Sequence, residues 1–362
     1  MKRIVAGLAA AAVLLTGCGP APTSRATQPG SPTSSPTAPS SPSPTTGSLA
    51  SLHALESAYE DVIANVLPSI VQINTKAGLG SGIVYDSAGH IVTNAHVVGE
   101  ATKMEVTIAT GGPPREARLV KSFGLGDLAV IKVERPDGLR PAKFGDSSKV
   151  RVGQIVLAMG NPLGLSGSVT NGIVSAIGRT VTEPQETEGS PGATIASAIQ
   201  TSAAINPGNS GGALVDLSGQ VIGIPTLAAV DPTLGGGTAP GIGFAIPSNT
   251  ATDIAAQIVK QGRVTNSHRA ALGIRGSTVI GADGTPSGVG VVRPEPGGPA
   301  AKAGIRAGDL ITSINDKKTP TMAVLAETIA NLKPGDQAKV GVLHSDGRTE
   351  TITVTLGQLP SD

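Results

Sequence analysis

Three short segments of the 362-residue chain carry residue types that together could split an acyl bond. Attack by a serine hydroxyl on a carbonyl needs a base to take the proton, an anion to orient that base, and donors to meet the oxyanion. Thr93-Asn94-Ala95-His96-Val97-Val98 places a histidine at the end of a β-type run. Gly126-Asp127-Leu128-Ala129-Val130-Ile131 places an aspartate at the mouth of a buried one. Gly208-Asn209-Ser210-Gly211-Gly212 flanks a serine with glycines, which lets the backbone turn sharply and aim its amides into one hole. Each segment alone has an ordinary reading: a structural histidine, a turn aspartate, a glycine-rich loop. The other histidines, His53, His90, His268 and His344, lack such a setting. The conjunction, in the order His, Asp, Ser, is what points to acyl transfer.

The elements that must position these residues follow from periodicity. Leu52, Leu55, Tyr59, Val62, Ile63 and Val66 line one face of a helix that stops at Pro68. Short β-type runs follow at 70–73, 82–85, 90–93, 105–108, 117–121 and 128–133. A second group lies at 154–159, 169–177, 195–199, 214–224 and 241–246. Two sets of about six strands without a βαβ rhythm predict paired antiparallel barrels, with the histidine and aspartate on one and the serine on the other. Pro225 has no amide hydrogen and is expected to weaken pairing beside the cleft. A helix at 250–261 ends at Gly262, and 263–268 reads as a linker. The last stretch is a smaller mixed unit with strands near Gly273 and at 289–292, 310–314, 339–343 and 350–356. A helix at 322–332 and a hairpin turn at Asp346-Gly347 complete it.

Composition narrows the class. The net charge of +1 favours neither nucleic acid nor an anionic surface, so no nucleic-acid partner is expected. Aromatics are 1% of residues, so the core must be built from Val, Ile, Leu and Ala. Cysteine occurs once, at Cys18, which rules out an intrachain disulfide. Lys2 and Arg3 precede the apolar run 4–15, and Leu15-Thr16-Gly17-Cys18 resembles the bacterial lipobox. That resemblance implies cleavage before Cys18, its acylation, and an extracytoplasmic protein anchored to the bilayer through lipid. Residues 19–48 are almost entirely Pro, Ser, Thr, Ala and Gly, a disordered tether reaching about 30 Å as a coil and about 90 Å as polyproline II. The expected division is a leader at 1–18, a tether at 19–50, a catalytic domain at 51–262, a linker at 263–269 and a last domain at 270–358.

The chain resembles the HtrA/Deg family of trypsin-like proteases with PDZ domains. Beyond the three segments, the resemblance rests on Gly80-Ser81-Gly82-Ile83-Val84, Gly160-Asn161-Pro162-Leu163-Gly164 and Gly172-Ile173-Val174-Ser175-Ala176. It also covers 200–212 and Gly243-Phe244-Ala245-Ile246-Pro247, and in all spans about 52–357. It implies a mainly β fold, a chymotrypsin-like double six-stranded antiparallel β-barrel followed by a PDZ domain. Ser210 is then the nucleophile, His96 the general base and Asp127 its orienter, with the amides of Gly208 and Ser210 as oxyanion hole. The floor of the primary specificity pocket falls at Ala204, where an aspartate would select Lys or Arg. Ala204 and Ile205 instead imply a shallow apolar pocket for a small aliphatic side chain. Asn209 stands where digestive relatives have an aspartate that pairs with a freshly cut N-terminus, so loop ordering must come from another interaction. Ala270-Ala271-Leu272-Gly273-Ile274 resembles the PDZ carboxylate loop, with Leu272, Gly273 and Ile274 as the peptide-binding residues. The polar segment 180–194 corresponds to a sensor loop, expected to order on activation. The resemblance also implies a homotrimer acting without cofactor or metal on unfolded or C-terminally exposed polypeptides. The alternative is a PDZ-based chaperone or scaffold with latent or no protease activity.

Overall fold

The computed structural model describes residues 46–359 apart from 77, 162–166, 183–192, 207 and 232–236. Cys18, the leader, most of the tether and the centre of the 180–194 segment lie outside the described residues. Helix α1 (Thr46–Val66) starts six residues before the apolar spacing at Leu52 does. Its Val62 and Val66 are buried, whereas Leu52 and Leu55 remain exposed.

Six strands close the first barrel: β1 (Ile70–Asn74), β2 (Leu79–Val84), β3 (His90–Thr93), β4 (Lys103–Ile108), β5 (Arg115–Phe123) and β6 (Leu128–Val133). Their order is β1-β2-β3-β6-β5-β4, with antiparallel pairing throughout. The one-turn helix α2 (Ala95–Val98) leaves β3 and carries His96. The second barrel is β7 (Ile155–Gly160), β8 (Ser168–Thr182), β9 (Thr194–Thr201), β10 (Ala213–Asp216), β11 (Val221–Asp231) and β12 (Gly237–Pro247). It too is closed and antiparallel, in the order β10-β11-β12-β9-β8-β7.

The apolar run 214–224 is not one strand but two. Asp216 accepts from the Gly219 amide, while its carboxylate accepts from Ser218 and Gln220, so a tight turn separates β10 from β11. That turn supplies the sixth strand of the second set. Pro225 sits within β11 opposite Ala245, and the register slips between it and Leu227. A bulge there absorbs the missing donor while the strand continues.

Aliphatic residues fill each barrel and the space between the two. Val71, Ile73, Ile91 and Ile131 pack inside the first, and Val156, Val174, Leu214 and Ile222 inside the second. Between the barrels, Ile83, Val92, Leu157, Met159 and Ile224 meet Val62 and Val66 of α1. Burying each such Ile or Leu side chain stabilises the fold by about 1.5–3 kcal/mol. Helix α3 (Ser248–Gln261) joins this core through Ile254 and Ile258 and ends on Gly262 in the left-handed region, φ 69°.

The last unit has its own core, including Val289, Ile311, Ile314, Leu325 and Val340. Its elements are β13 (Ala270–Ala271), β14 (Ile274–Ile280), β15 (Pro286–Pro294), α4 (Pro299–Lys302), β16 (Leu310–Ile314), β17 (Lys317–Lys318) and α5 (Met322–Ala330). They continue with β18 (Gln337–Leu343), β19 (Thr349–Thr355) and β20 (Gly357–Gln358). Thr321 caps α5, its hydroxyl accepting from the Val324 amide. Helix α5 lies against β8 and β9 of the second barrel.

Candidate active site

Asp127, nearly inaccessible to solvent, follows a 3-10 turn (Gly124–Gly126) and takes a left-handed backbone, φ 50°. Aspartate tolerates that region better than most side chains. Its carboxylate accepts from the backbone amide of His96 at 3.0 Å, and lies 2.9 and 3.0 Å from His96 Nδ1. Asn94, at the N-cap of α2, donates through Nδ2 to the Asp127 carbonyl at 3.0 Å. One short turn therefore fixes the aspartate by main chain and side chain, and the imidazole is oriented from both sides of its Cα.

The second barrel contributes a residue that sequence reasoning missed. Thr226, on β11, donates through Oγ1 to Asp127 Oδ2 at 2.5 Å, while its carbonyl accepts from Ser210 Oγ at 3.0 Å. A single threonine thus ties the aspartate of one barrel to the serine of the other. No local signal marks it, because a threonine in an apolar β run reads as an ordinary strand residue and its partner lies 99 positions away.

Ser210 lies in the turn between β9 and β10, partly buried. The glycine after it is demanded by space: a Cβ on Gly211 would lie 2.2 Å from the Ser81 carbonyl and 2.3 Å from Thr93 Oγ1, with φ at +79°. Gly80 is likewise required, since a Cβ there would meet Val97, the neighbour of His96, at 2.4 Å. The Ser81 amide donates to the Ser210 carbonyl at 3.0 Å. Among the described residues, nothing accepts from the amides of Gly208 or Ser210. Through Thr226, Asp127 with its His96 on the first barrel and Ser210 on the second are linked across the seam between the barrels.

Ala204 is exposed, and Ile205 is buried where a Cβ on Gly243 would meet it at 2.4 Å. The Ala204 carbonyl accepts from Thr170 Oγ1 at 2.8 Å and Asn209 Nδ2 at 3.3 Å. In the last unit, Leu272 is core, Gly273 has φ 67°, and Ile274 is partly buried and opens β14. The Leu272 side chain is therefore spent on that core and does not line the loop's surface.

Carboxylate pairing alone does not single out His96. His90 lies 2.7 Å from Asp86, His268 3.2 Å from Asp253, and His344 2.9 Å from Asp309. What sets His96 apart is the buried Asp127 shared with Thr226. Among the described residues, no group of three or more His, Cys, Asp or Glu could hold a metal ion. A cavity of about 470 Å³ opens among the two barrels, α3 and the end of α5, lined by Phe123, Leu128, Ile254, Arg269 and Ala330, and Ser210 is not among its lining residues. Burial holds the Arg269 guanidinium down at about 10.

Comparison with known proteins decides the family. Residues 80–224 match the trypsin-like peptidase domain and 256–356 the PDZ domain. The HtrA-type protease AlgW, solved with a tripeptide, is 34% identical, with a TM-score of 0.56 over 84% of this chain and 98% of that one. The chain belongs to the HtrA family of serine proteases. Another similar structure is the serine endoprotease from Yersinia pestis, 34% identical, TM-score 0.55, over 83% of this chain and 98% of that one. The periplasmic pH-dependent serine endoprotease DegQ of Escherichia coli is 40% identical over 77% of this chain. A probable periplasmic serine protease of Haemophilus influenzae is 40% identical over the same share. This HtrA chain spans 59% and 58% of the length of those two curated relatives.

Proposed function

We propose that the protein is a serine endopeptidase that cleaves exposed segments of unfolded or C-terminally tagged envelope polypeptides. The observation that carries this reading is the Asp127 carboxylate held between His96 Nδ1 and Thr226 Oγ1, with Ser210 on the carbonyl of the same threonine. Ser210 Oγ attacks the scissile carbonyl as its proton turns from the Thr226 carbonyl to His96 Nε2. Asp127 keeps Nδ1–H pointed inward and stabilises the imidazolium, which then protonates the leaving amine. The amides of Gly208 and Ser210 receive the oxyanion as charge develops.

Ala204 and Ile205 form a shallow apolar pocket for Val, Ala, Ile or Thr before the cut. One or two methylenes in such a pocket discriminate only about 10–200-fold, so the preference is loose. The loop at Leu272, Gly273 and Ile274 receives peptide C-termini; that AlgW was solved with a decapeptide and with a tripeptide supports peptide binding as such. The periplasmic names of the relatives support an extracytoplasmic location, to which Cys18 adds a lipid anchor. Among the described residues no helix is long and apolar enough to cross a membrane. Three copies assemble through α1, whose exposed Leu52 and Leu55 are the contact.

Ser210→Ala tests the reading on unfolded casein. Turnover should fall on the order of 10⁴–10⁶-fold with the fold intact. Cut sites mapped in the wild-type digest should be rich in small aliphatic residues. Residual cleavage within tenfold of wild type, or a map dominated by Lys and Arg, contradicts it.

A further inference from the structure

We infer that Ser81 is a positioning residue for the oxyanion loop, holding Gly208 so that its amide meets the developing charge. This rests on the reading of Ser210 as nucleophile. With Asn209 beside Ser210, no ion pair can order the loop, and something else must.

Ser81 belongs to β2 of the first barrel and is fully buried, yet it grips the loop of the second barrel at two points. Its hydroxyl donates to the Gly208 carbonyl at 2.5 Å, and its amide donates to the Ser210 carbonyl at 3.0 Å. The same hydroxyl accepts from the Asn161 amide at 2.8 Å. That third bond fixes the polarity. An amide can only donate, so Asn161 takes up a lone pair and the single hydroxyl proton is left for Gly208.

Gly208 needs such a hold, because its φ of 103° lies where glycine meets no steric barrier and so little in the backbone resists rotation. Other side chains offer less. Asn209 Nδ2 reaches the Ala204 carbonyl at 3.3 Å, and its buried Oδ1 has no partner among the described residues. Pinning the Gly208 carbonyl from a rigid strand limits the directions its amide can take. Those amides act on charge that exists in the transition state and not in bound substrate, so the loss belongs in kcat.

The test uses the full chain carrying Ser81→Ala or Ser81→Cys. Three quantities are measured: kcat and KM on a fluorogenic peptide with Val before the cut, and the affinity of a peptidyl trifluoromethyl ketone, whose adduct bears the oxyanion. For Ser81→Ala, kcat should fall about ten- to hundredfold. KM should stay within about twofold, and the ketone should weaken by the factor lost from kcat. Ser81→Cys keeps the shape but donates weakly, and should lose kcat to a lesser degree with KM unchanged. If Ser81→Ala does not fold, the cysteine variant decides. A folded variant with wild-type kcat, or one altered in KM alone, overturns the proposal. Should the wild type neither cleave nor take a fluorophosphonate at Ser210, the nucleophile reading fails and takes this one with it. An active wild type with unaffected Ser81 variants sinks only the role of Ser81.

Discussion

At the scale of single residues, the site is a set of hydrogen bonds that cross from one barrel to the other. Asp127 is buried, so each bond to its carboxylate is worth more than an exposed one, about 1.5–3 kcal/mol for a charged acceptor. Thr226→Val removes one of them while keeping the side-chain outline. We expect kcat to fall about ten- to hundredfold and the melting temperature to drop by several degrees, since a buried carboxylate loses a donor. Steady-state kinetics on the purified variant checks this, and wild-type turnover would show that Thr226 does nothing for His96. His96, Asp127 and Ser210, the proposed triad, can be nominated from the sequence because each sits in a short segment with its own chemistry. Thr226 and Ser81 cannot. Ser81 lies inside the Gly80-Ser81-Gly82 segment that carried the family resemblance, but its partner Gly208 is 127 positions away. Residue types announce reactivity, whereas the residues that hold reactive groups in place are known only once the strands have paired.

At the scale of elements, short β-branched runs separated by turn residues gave the strands well, and the errors fell at joints. The run 214–224 hid the turn at 217–220 because apolar residues stand on both sides of it, and only the Asp216 carboxylate bonds define the break. Helix α1 runs further back than its apolar spacing, and its residues 50–57 are exposed, so no apolar face there betrays the helix. The β18–β19 hairpin adds a pH dependence. His344 lies between Asp309 and Glu350, and its hydrogen bond to Asp309 raises its pKa above the ordinary 6.5, with Glu350 adding to the shift. A histidine raised on folding stabilises the fold fully below its unfolded pKa and loses that contribution as pH climbs through the folded value. The melting temperature of the PDZ unit should therefore decline as pH rises through the range above 6.5, and His344→Gln should flatten that slope. Calorimetry across pH 5.5–8.5 checks it, and an identical slope in the variant would rule His344 out.

At the scale of the whole molecule, the bonds from Asp127 through Thr226 to Ser210 cross from one barrel to the other, so neither barrel alone can assemble the proposed site. Val62 and Val66 of α1 are spent on that inter-barrel core while Leu52 and Leu55 stay exposed, and the proposed trimer puts these two leucines at the contact between copies. Light scattering of the chain beginning at Ser51 should give three times the monomer mass. Replacing Leu52 and Leu55 together with Ser should reduce it to one, and a monomeric wild type at working concentration would remove α1 from the account. The most direct measurement addresses the central claim. The protein is treated with a fluorophosphonate, digested, and the adduct located by mass spectrometry. We expect a single adduct on Ser210 that disappears in His96→Ala, because the hydroxyl reacts only when the imidazole can take its proton. An adduct on another serine, or undiminished labelling of Ser210 without His96, would contradict the proposed mechanism.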